Sequence, residues 1–343
     1  MAANDHPDQL SSSMGGSAPI NTFAPQAKKP CCGPLAIRRT QLKAVPAGGQ
    51  HRLPSDDVFR GLLHLPGGSF RMGTDYAEAF PDDGEGPVRN VTLSPFELDR
   101  FPVTNRLFSE FVAATGYLTE AERFGWSFVF WLHIPKNRFN ELVEDTIAAT
   151  PWWCKVPRAS WNAPEGPGSD VTARSDHPVV HVSWHDAEAY CRWAGLRLPT
   201  EGEWEYGARG GRDQQVYPWG NTLRIAGEHQ CNIWQGEFPM VDTAEDGYSG
   251  TCPVDAFPAN DFGIYSTSGN TWEWCADWFG TDHSQNEARD PSGPPEGSSR
   301  VMKGGSFLCH RSYCNRYRVA ARSSNTPDSS SSHQGFRCAR SIE

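Results

Sequence analysis

Near the end of the chain stands the stretch Gly304-Gly305-Ser306-Phe307-Leu308-Cys309-His310-Arg311-Ser312-Tyr313-Cys314, in which two cysteines lie five positions apart. Two soft sulfur ligands held together suit a monovalent copper ion or a redox pair, whereas a structural zinc usually needs four ligands. Side chains five apart point to opposite faces of a strand and lie about 140° apart on a helix. The sulfurs therefore meet only if residues 310–313 bend the chain. A buried disulfide or two inert core thiols remain open on spacing alone.

Three cationic side chains, His310, Arg311 and Arg316, stand between or just after the two cysteines. Nearby positive charge lowers the pKa of a thiol, so the sequence predicts that thiolates form readily here. Ser306 precedes the pair, and it is not the serine of a nucleophile elbow, because Gly-x-Ser-x-Gly occurs nowhere in the chain. Two interpretations of Ser306 stay open: it orients oxygen or a substrate sulfur, or it is a turn residue after the two glycines.

The surroundings of the pair resemble a known family. Residues 303–314 are similar to the active-site segment of the formylglycine-generating enzymes, the sulfatase-modifying oxidases, and residues 318–330 and 335–338 continue the resemblance. The resemblance to this family extends from about Leu62 to Ala339. Further matching motifs are Leu65-Pro66-Gly67-Gly68-Ser69-Phe70-Arg71-Met72-Gly73, His181-Val182-Ser183-Trp184, Arg197-Leu198-Pro199-Thr200-Glu201, Asn232-Ile233-Trp234-Gln235-Gly236 and Gly269-Asn270-Thr271-Trp272-Glu273-Trp274. Several of these motifs indicate only the fold, whereas the cysteine pair with its flanks is specific to the enzyme branch.

This resemblance implies a fold and a reaction. The fold is an α+β domain of the C-type-lectin-like kind, in its formylglycine-generating-enzyme variant, over residues 56–343 and with little regular secondary structure. The reaction is oxidation by O2 of the cysteine in a sulfatase Cys-x-Pro-x-Arg segment to Cα-formylglycine. Cys309 and Cys314 would hold Cu(I) and leave room for a third thiolate, that of the substrate. The substrate arginine would enter an acidic or aromatic subsite that the sequence does not locate.

Other residues of the site follow from the same resemblance. Ser306, Tyr313 and Trp272 would lie beside the cysteines and take part in catalysis. His333 stands where the family usually has Asn, and both side chains can form hydrogen bonds. We therefore interpret His333 as a tolerated change that alters peptide preference.

Calcium is a second expected cofactor. Asn232 to Tyr248 is an acidic segment but not an EF-hand loop, so solvated surface loops are the simple interpretation. The resemblance implies two structural calcium sites instead. The first would use the side chains of Asn232 and Asp246 with the carbonyls of Ile233 and Tyr248. The second would use Glu273 and Ser266 with the carbonyls of Gly269 and Thr271; the family usually has Asn at position 266, and serine is a shorter ligand.

Three other function classes are possible on this fold. A non-catalytic paralogue typically lacks the cysteine pair, and an ergothioneine-type sulfoxide synthase needs an added helical domain with a His-rich iron motif. A calcium-dependent carbohydrate-binding module is the third alternative. His-Glu-x-x-His, Walker A and Gly-x-Gly-x-x-Gly motifs do not occur in the sequence. The cysteine pair favours the enzyme.

Composition limits the partners. The chain has 343 residues, a net charge of −10, 33 Gly, 27 Pro and 13 Trp. This predicts a loop-rich domain packed around aromatic side chains and argues against nucleic acid as a partner. No apolar run approaches the roughly 18 residues that a membrane span needs, and the N-terminus lacks the pattern of a secretory leader. We expect a cytoplasmic monomer, unless a leader was removed before Met1.

The ten cysteines include further pairs. The resemblance implies a disulfide between Cys191 and Cys338, whereas a second bridge of some family members is missing because Ala208 and Val319 occupy its positions. Residues 1–55 are rich in Ser, Gly and Pro and are predicted to be disordered. This tail carries Cys31 and Cys32, which are either incidental thiols or a redox pair like that in the N-terminal extension of eukaryotic family members.

Three helices can be predicted from their termini. The first covers residues 105–115 and stops at Gly116. The second follows Ser183 and stops at Gly195. The third follows Thr200, has Glu203 three residues further on as in a capping box, and stops at Gly210.

Overall fold

The computed structural model describes residues 54–59, 61–283 and 287–342. The predicted disordered tail, residues 1–55, lies outside the described residues except for its last two positions, and so do Cys31 and Cys32. Among the residues described, no helix has the length and apolar character required to cross a membrane.

Helices and short strands are mixed along the described chain, which confirms the predicted α+β class. The α-helices are α1 (Asn105–Thr115), α2 (Glu120–Phe124), α3 (Phe139–Leu142), α4 (Trp184–Ala194) and α5 (Glu201–Arg209). The strands are β1 (Leu62–Leu65), β2 (Gly68–Met72), β3 (Arg89–Leu93), β4 (Phe96–Asp99), β5 (Trp126–Phe130), β6 (Asp145–Ile147), β7 (Thr150–Pro157), β8 (Arg224–Ile225), β9 (Glu228–His229), β10 (Gly236–Glu237), β11 (Val241–Asp242), β12 (Trp272–Trp278), β13 (Ala288–Arg289), β14 (Arg300–Lys303), β15 (Arg322–Asn325), β16 (Gln334–Gly335) and β17 (Ala339–Ser341).

The three predicted helices have the predicted ends. The Thr104 hydroxyl accepts a hydrogen bond from the backbone N–H of Leu107, 3.3 Å away, and opens α1. Ser183 and Thr200 open α4 and α5 with capping boxes. Each helix ends where a glycine adopts a left-handed backbone conformation, as Gly116 does with φ 66°. Local capping chemistry therefore determines where these helices lie.

The largest sheet positions the candidate site. Its four strands are ordered β15-β14-β12-β16, with β14 antiparallel to β12 and to β15. A separate three-stranded sheet, β1-β4-β17, joins the last strand to an early one, with Ala339 opposite Leu98. The C-terminal residues thus close sheets that earlier strands begin.

Helices α1 and α4 pack together in the largest apolar cluster. The rings of Phe108 and Tyr190 stack with centroids 6.0 Å apart, and Phe336 contacts both rings edge-on. Burying one such aromatic side chain contributes about 1.5–3 kcal/mol of stability. The same cluster includes Cys309 and Cys314, so the cysteine pair is attached to the main core.

Candidate active site

Two glycines turn the chain out of β14 and into the cysteine segment. Gly304 and Gly305 have φ angles of 93° and 73°. A Cβ atom on Gly305 would lie 2.9 Å from the carbonyl oxygen of Arg316 and 3.0 Å from the Cα of Tyr317. Glycine is therefore required for backbone packing here, as well as for the left-handed conformation. This close approach holds the start of the segment against its end.

Residues 310–313 bend as the spacing requires. The backbone N–H groups of Tyr313 and Cys314 both donate to the carbonyl of His310, at 3.0 and 2.7 Å. The Sγ atoms of Cys309 and Cys314 consequently lie 3.1 Å apart. Both side chains are 2% exposed, and they are not joined in a disulfide bond.

The two thiols open into a narrow pocket with aromatic walls. Its lining contains all five predicted catalytic residues, together with the side chain at position 333; the residues are Trp152, Trp153, Phe238, Trp272, Ser306, Leu308, Cys309, Tyr313, Cys314 and His333. Tyr313 stacks on Phe238 with ring centroids 4.4 Å apart, and Trp152 packs edge-on against Tyr313 at 5.2 Å. These rings limit the access of water to the sulfurs.

Ser306 holds the turn that presents Cys309. Its backbone N–H approaches the sulfur of Cys309 at 3.4 Å, and its hydroxyl accepts a hydrogen bond from the N–H of Leu308 at 3.3 Å. Ser306 therefore takes part in the turn, and its role in orienting oxygen or a substrate sulfur stays a prediction. Its hydroxyl proton remains available for a further bond.

Trp272 also lines this pocket. The side chain is 1% exposed, and its Nε1 has no hydrogen-bond acceptor among the described residues. Burying an N–H group without an acceptor costs free energy. A small polar ligand in the pocket would supply the missing acceptor.

His333 is fixed on two sides. Its Nδ1 lies 2.7 Å from the Ser331 hydroxyl, and its ring packs against Trp153 with centroids 4.6 Å apart. Ser331 is itself fixed by pairing with Phe128 of β5. The imidazole is therefore a rigid part of the pocket wall.

The charge around the pair differs from the expectation. Arg311 Nη2 lies 2.6 Å from Glu78, Arg316 Nε lies 2.5 Å from Asp83, and burial lowers the pKa of His310. Each arginine is thus balanced by a carboxylate, so the predicted net positive environment is not present.

The balancing carboxylates come from an acidic loop that the sequence reasoning missed. Its Glu85 also makes a fully buried bidentate pair with Arg318, at 2.5 and 2.7 Å. Burial raises the pKa of Asp83, and the Arg316 guanidinium opposes that effect. Glu78, Asp83 and Glu85 each stand 233 positions before their partners. No local sequence signal could have indicated the pairing.

The cysteine pair offers the donor atoms that a soft metal ion prefers. The described residues contain no cluster of three or more His, Cys, Asp or Glu side chains arranged for a metal ion. A pair of thiols is a smaller donor set, and thiolates are ligands that Cu(I) prefers. Cys309 and Cys314 are therefore the residues that would hold it.

The first predicted calcium site has its residues in one place. Asn232 is 1% exposed, and its Oδ1 has no hydrogen-bond partner among the residues described. The carboxylate of Asp246 accepts from the N–H groups of Ile233 and Tyr248, at 3.1 and 3.0 Å. The side-chain amide of Gln235, which the sequence reasoning did not single out, donates to Asp246 and to the carbonyl of Ile233. An oxygen-rich set with one unsatisfied buried oxygen fits calcium.

The second predicted calcium site does not fit. Arg337 makes a fully buried bidentate pair with Glu273, at 2.5 and 2.7 Å, and the Trp204 indole also donates to this carboxylate. Ser266 donates its hydroxyl to the carbonyl of Val254 at 2.9 Å. The guanidinium already supplies the positive charge that the carboxylate needs in the interior.

The predicted disulfide partners also meet. The sulfurs of Cys191 and Cys338 lie 3.5 Å apart in the core and are not bonded to each other. Burial raises the pKa of the Cys338 thiol well above its usual value. The disulfide itself remains a prediction.

Comparison with known proteins agrees with this architecture. Residues 51–342 match the family described as the sulfatase-modifying factor enzyme 1-like domain. PvdO from Pseudomonas aeruginosa superimposes with a TM-score of 0.60 at 25% identity, over 82% of this chain and 94% of that one. The chain has the C-type-lectin-like fold and belongs to the formylglycine-generating enzyme family of sulfatase-modifying factors.

The chain is similar to one relative named as an enzyme and to another named as inactive. The chain is 59% identical over 292 residues to the formylglycine-generating enzyme of Thermomonospora curvata, covering 84% of this chain and 96% of the relative. It is 48% identical over 283 residues to the inactive Cα-formylglycine-generating enzyme 2 of Mus musculus, covering 82% and 85%. Overall similarity thus extends to both active and inactive relatives, and the site itself must distinguish them.

Proposed function

We propose that this protein converts the cysteine of a sulfatase Cys-x-Pro-x-Arg segment to Cα-formylglycine, using O2 and Cu(I). The side chain loses its sulfur as hydrogen sulfide and becomes an aldehyde. Written in full, one thiol, one O2, two electrons and two protons give one aldehyde, one hydrogen sulfide and one water. A thiol reductant supplies the two electrons. Similarity to the formylglycine-generating enzyme of Thermomonospora curvata supports this reaction.

One observation carries the proposal, namely the buried pair of sulfurs 3.1 Å apart at the end of an aromatic pocket. Bound between Cys309 and Cys314, Cu(I) would supply the electron transfer that makes O2 reactive toward the substrate. The protein's contribution is to admit the substrate thiol, hold it against the pair and exclude water. Trp272 lines the pocket and has a buried N–H without an acceptor among the described residues, which supports a role for it in binding the ligand.

Calcium would have a structural part. We place one ion at the first site, where Asn232 offers an unsatisfied oxygen and Asp246 a carboxylate. Asn270 donates its backbone N–H to the carbonyl of Asn232, and the carbonyl of Asn270 accepts from Phe307. A cation at Asn232 would therefore stiffen the support of the cysteine segment.

The decisive experiment is mass spectrometry of a Cys-x-Pro-x-Arg peptide incubated with the protein, Cu(I), a thiol reductant and air. A loss of about 18 Da that requires copper and disappears in Cys314→Ser is the expected result. No conversion by correctly folded, copper-loaded protein would contradict the proposal.

The alternative of a non-catalytic relative is tested by the same experiment. Sequence identity does not decide it, because the mouse relative named inactive is 48% identical. The preserved dithiol favours catalysis, since both sulfurs line the aromatic pocket as well as belonging to the core.

A further inference from the structure

A cavity of about 480 Å³ lies along one face of α4, apart from the aromatic pocket of the candidate active site. Four of its lining residues, Trp184, Glu188, Cys191 and Arg192, belong to this helix. Residues at these spacings share one face of an α-helix. The cavity therefore follows the face of α4 that carries Cys191.

The rim of this cavity is open to solvent. Arg192, Asp290 and Ile342 line it and are exposed to 72%, 47% and 40%. Cys191 is 1% exposed and so forms part of the inner wall. A small molecule can therefore enter between the exposed side chains and reach the wall that contains Cys191.

The two cysteines of this region differ in their access to the cavity. The sulfurs of Cys191 and Cys338 lie 3.5 Å apart and are not bonded to each other. Cys338 is fully buried, and the described residues that line the cavity include Cys191 but not Cys338. A thiol reagent that enters the cavity therefore meets Cys191 first.

Cys338 has a carboxylate beside its thiol. The backbone N–H of Cys338 donates to Asp99 at 3.2 Å, the backbone N–H of Asp99 donates to the Cys338 carbonyl at 2.8 Å, and the thiol is hydrogen-bonded to the same carboxylate. Burial raises the pKa of Asp99 to about 7. A carboxylate with a raised pKa is a stronger base than an ordinary one, so Asp99 can accept the Cys338 proton when that sulfur reacts.

We propose that Cys191 is a site of reversible modification by low-molecular-weight disulfides, with Cys338 as the resolving cysteine and Asp99 as its proton acceptor. In the first step the Cys191 thiolate attacks a small disulfide RSSR, forms a mixed disulfide with one RS group and releases the other, which takes up a proton as RSH. Thiol–disulfide exchange of this kind needs only access and a thiolate.

The second step closes the bridge. Cys338 passes its proton to Asp99, attacks the sulfur of Cys191 and expels the second RS group, which takes that proton and leaves as RSH. The two protein thiols are thereby oxidised to one disulfide, and RSSR is reduced to two RSH. Neither step uses Cys309, Cys314 or a metal ion, so the inference is independent of the proposed function.

The test treats folded, full-length variants with cystamine, a small disulfide with two ammonium groups, and maps the adducts by mass spectrometry. Cys338→Ser retains Cys191, and Cys191→Ser retains Cys338. Cys191 should form the mixed disulfide about tenfold faster than Cys338, because it borders the cavity. Cys154 is the internal control for opening of the whole fold, since it is fully buried in a separate apolar cluster.

Two results would overturn the modification site. One is an equal rate for Cys191 and Cys338. The other is a rate for Cys191 no higher than that for Cys154, because cystamine would then reach all three thiols through opening of the whole fold.

A second comparison tests Asp99. Asp99→Asn can still accept the Cys338 N–H but cannot take its proton, so the mixed disulfide on Cys191 should accumulate about tenfold over wild type. Asp277→Asn is the matched control, because Asp277 is also buried, accepts the N–H of Glu201 at 2.7 Å and has a pKa raised by burial to about 7. It should resolve the mixed disulfide as wild type does. Equal accumulation in both variants, or accumulation accompanied by faster modification of Cys154, would overturn the role of Asp99.

Discussion

The sulfur of Cys191, on the inner face of α4, lies 3.5 Å from the sulfur of Cys338, the residue immediately before β17. The two positions are separated by 147 residues in sequence. A covalent bond between them would fasten a helix of the central core to the strand that closes the fold. The contact therefore offers a direct test of how oxidation affects stability.

Oxidation should raise the melting temperature of the wild type, because a bridge across a long loop restricts the unfolded chain and typically contributes about 2–4 kcal/mol. Cys191→Ser should abolish the difference between oxidised and reduced samples. Cys154→Ser is the control for losing a buried thiol, since Cys154 is equally buried. Calorimetry with and without reductant measures the effect, and a redox-independent melting temperature in the wild type would count against the bridge.

Gly305→Ala should disrupt the cysteine segment. The added methyl would meet the backbone of Arg316 and Tyr317 at 2.9–3.0 Å, in a residue whose φ is 73°. We expect a loss of about 3 kcal/mol or more, from the conformational strain and the clash together. Gly195→Ala is the matched control, because Gly195 has φ 68° and nothing within 4 Å of an added Cβ.

The control should lose only about 1–2 kcal/mol, the cost of the left-handed conformation. Denaturant unfolding measures both variants, and peptide conversion should fall only in Gly305→Ala. Equal destabilisation of the two variants would show that the contact with Arg316 and Tyr317 is not important.

Acid should destabilise the fold through His181. Burial lowers the pKa of this fully buried imidazole to about 4, so the unfolded chain, with a pKa near 6.5, binds the proton first as the pH falls. The neutral His181 imidazole contributes fully to the free energy of unfolding above about pH 6.5, and this contribution is lost as the pH falls toward 4. Between pH 7 and pH 5 the free energy of unfolding should therefore fall by about 2 kcal/mol.

His181→Asn should remove this part of the pH dependence. Asparagine tolerates the left-handed backbone that His181 adopts at φ 60° and can still bond to Ser127. Urea unfolding at the two pH values measures the difference. If both proteins lose stability equally on acidification, another group is responsible.

Chelation should reveal one calcium ion. Asp246→Asn should abolish calcium binding and the associated rise in melting temperature, which corresponds to about 2.7 kcal/mol at 100 times the dissociation constant. Glu245→Gln is the control, because that neighbouring carboxylate is 53% exposed and pairs with Arg224. Equilibrium dialysis should count one ion per chain. Binding of two calcium ions per chain would contradict the inference that Glu273 pairs with Arg337 and holds no calcium.

The predictable features were those encoded over short distances. Thr104 with Gly116, and Ser183 with Gly195, delimit helices because capping is a local interaction. The short helix α2 was overlooked although Thr119 and Glu122 form a capping box of the same kind. In the site, the spacing of Cys309 and Cys314 required the bend that the chain makes.

Long-range pairing was the part that the sequence could not specify. The partners Glu78 and Arg311 are separated by 233 positions, and nothing in either segment identifies the other. For the same reason the family resemblance suggested a calcium ligand at Glu273, whereas the fold brings Arg337 onto that carboxylate. Side-chain chemistry indicates what a residue can bind, and the tertiary fold decides what it meets.

The pairing of early strands with β16 and β17 has a consequence for folding. Strand β17 pairs with β4, and β16 pairs with β12 beside the active pocket. Pairings so distant in sequence form slowly, because the two strands meet only after the intervening chain has been brought together. Cys338, which directly precedes β17, is fully buried only once that strand is paired, so we expect its thiol to be more open to oxidation during folding than in the folded protein.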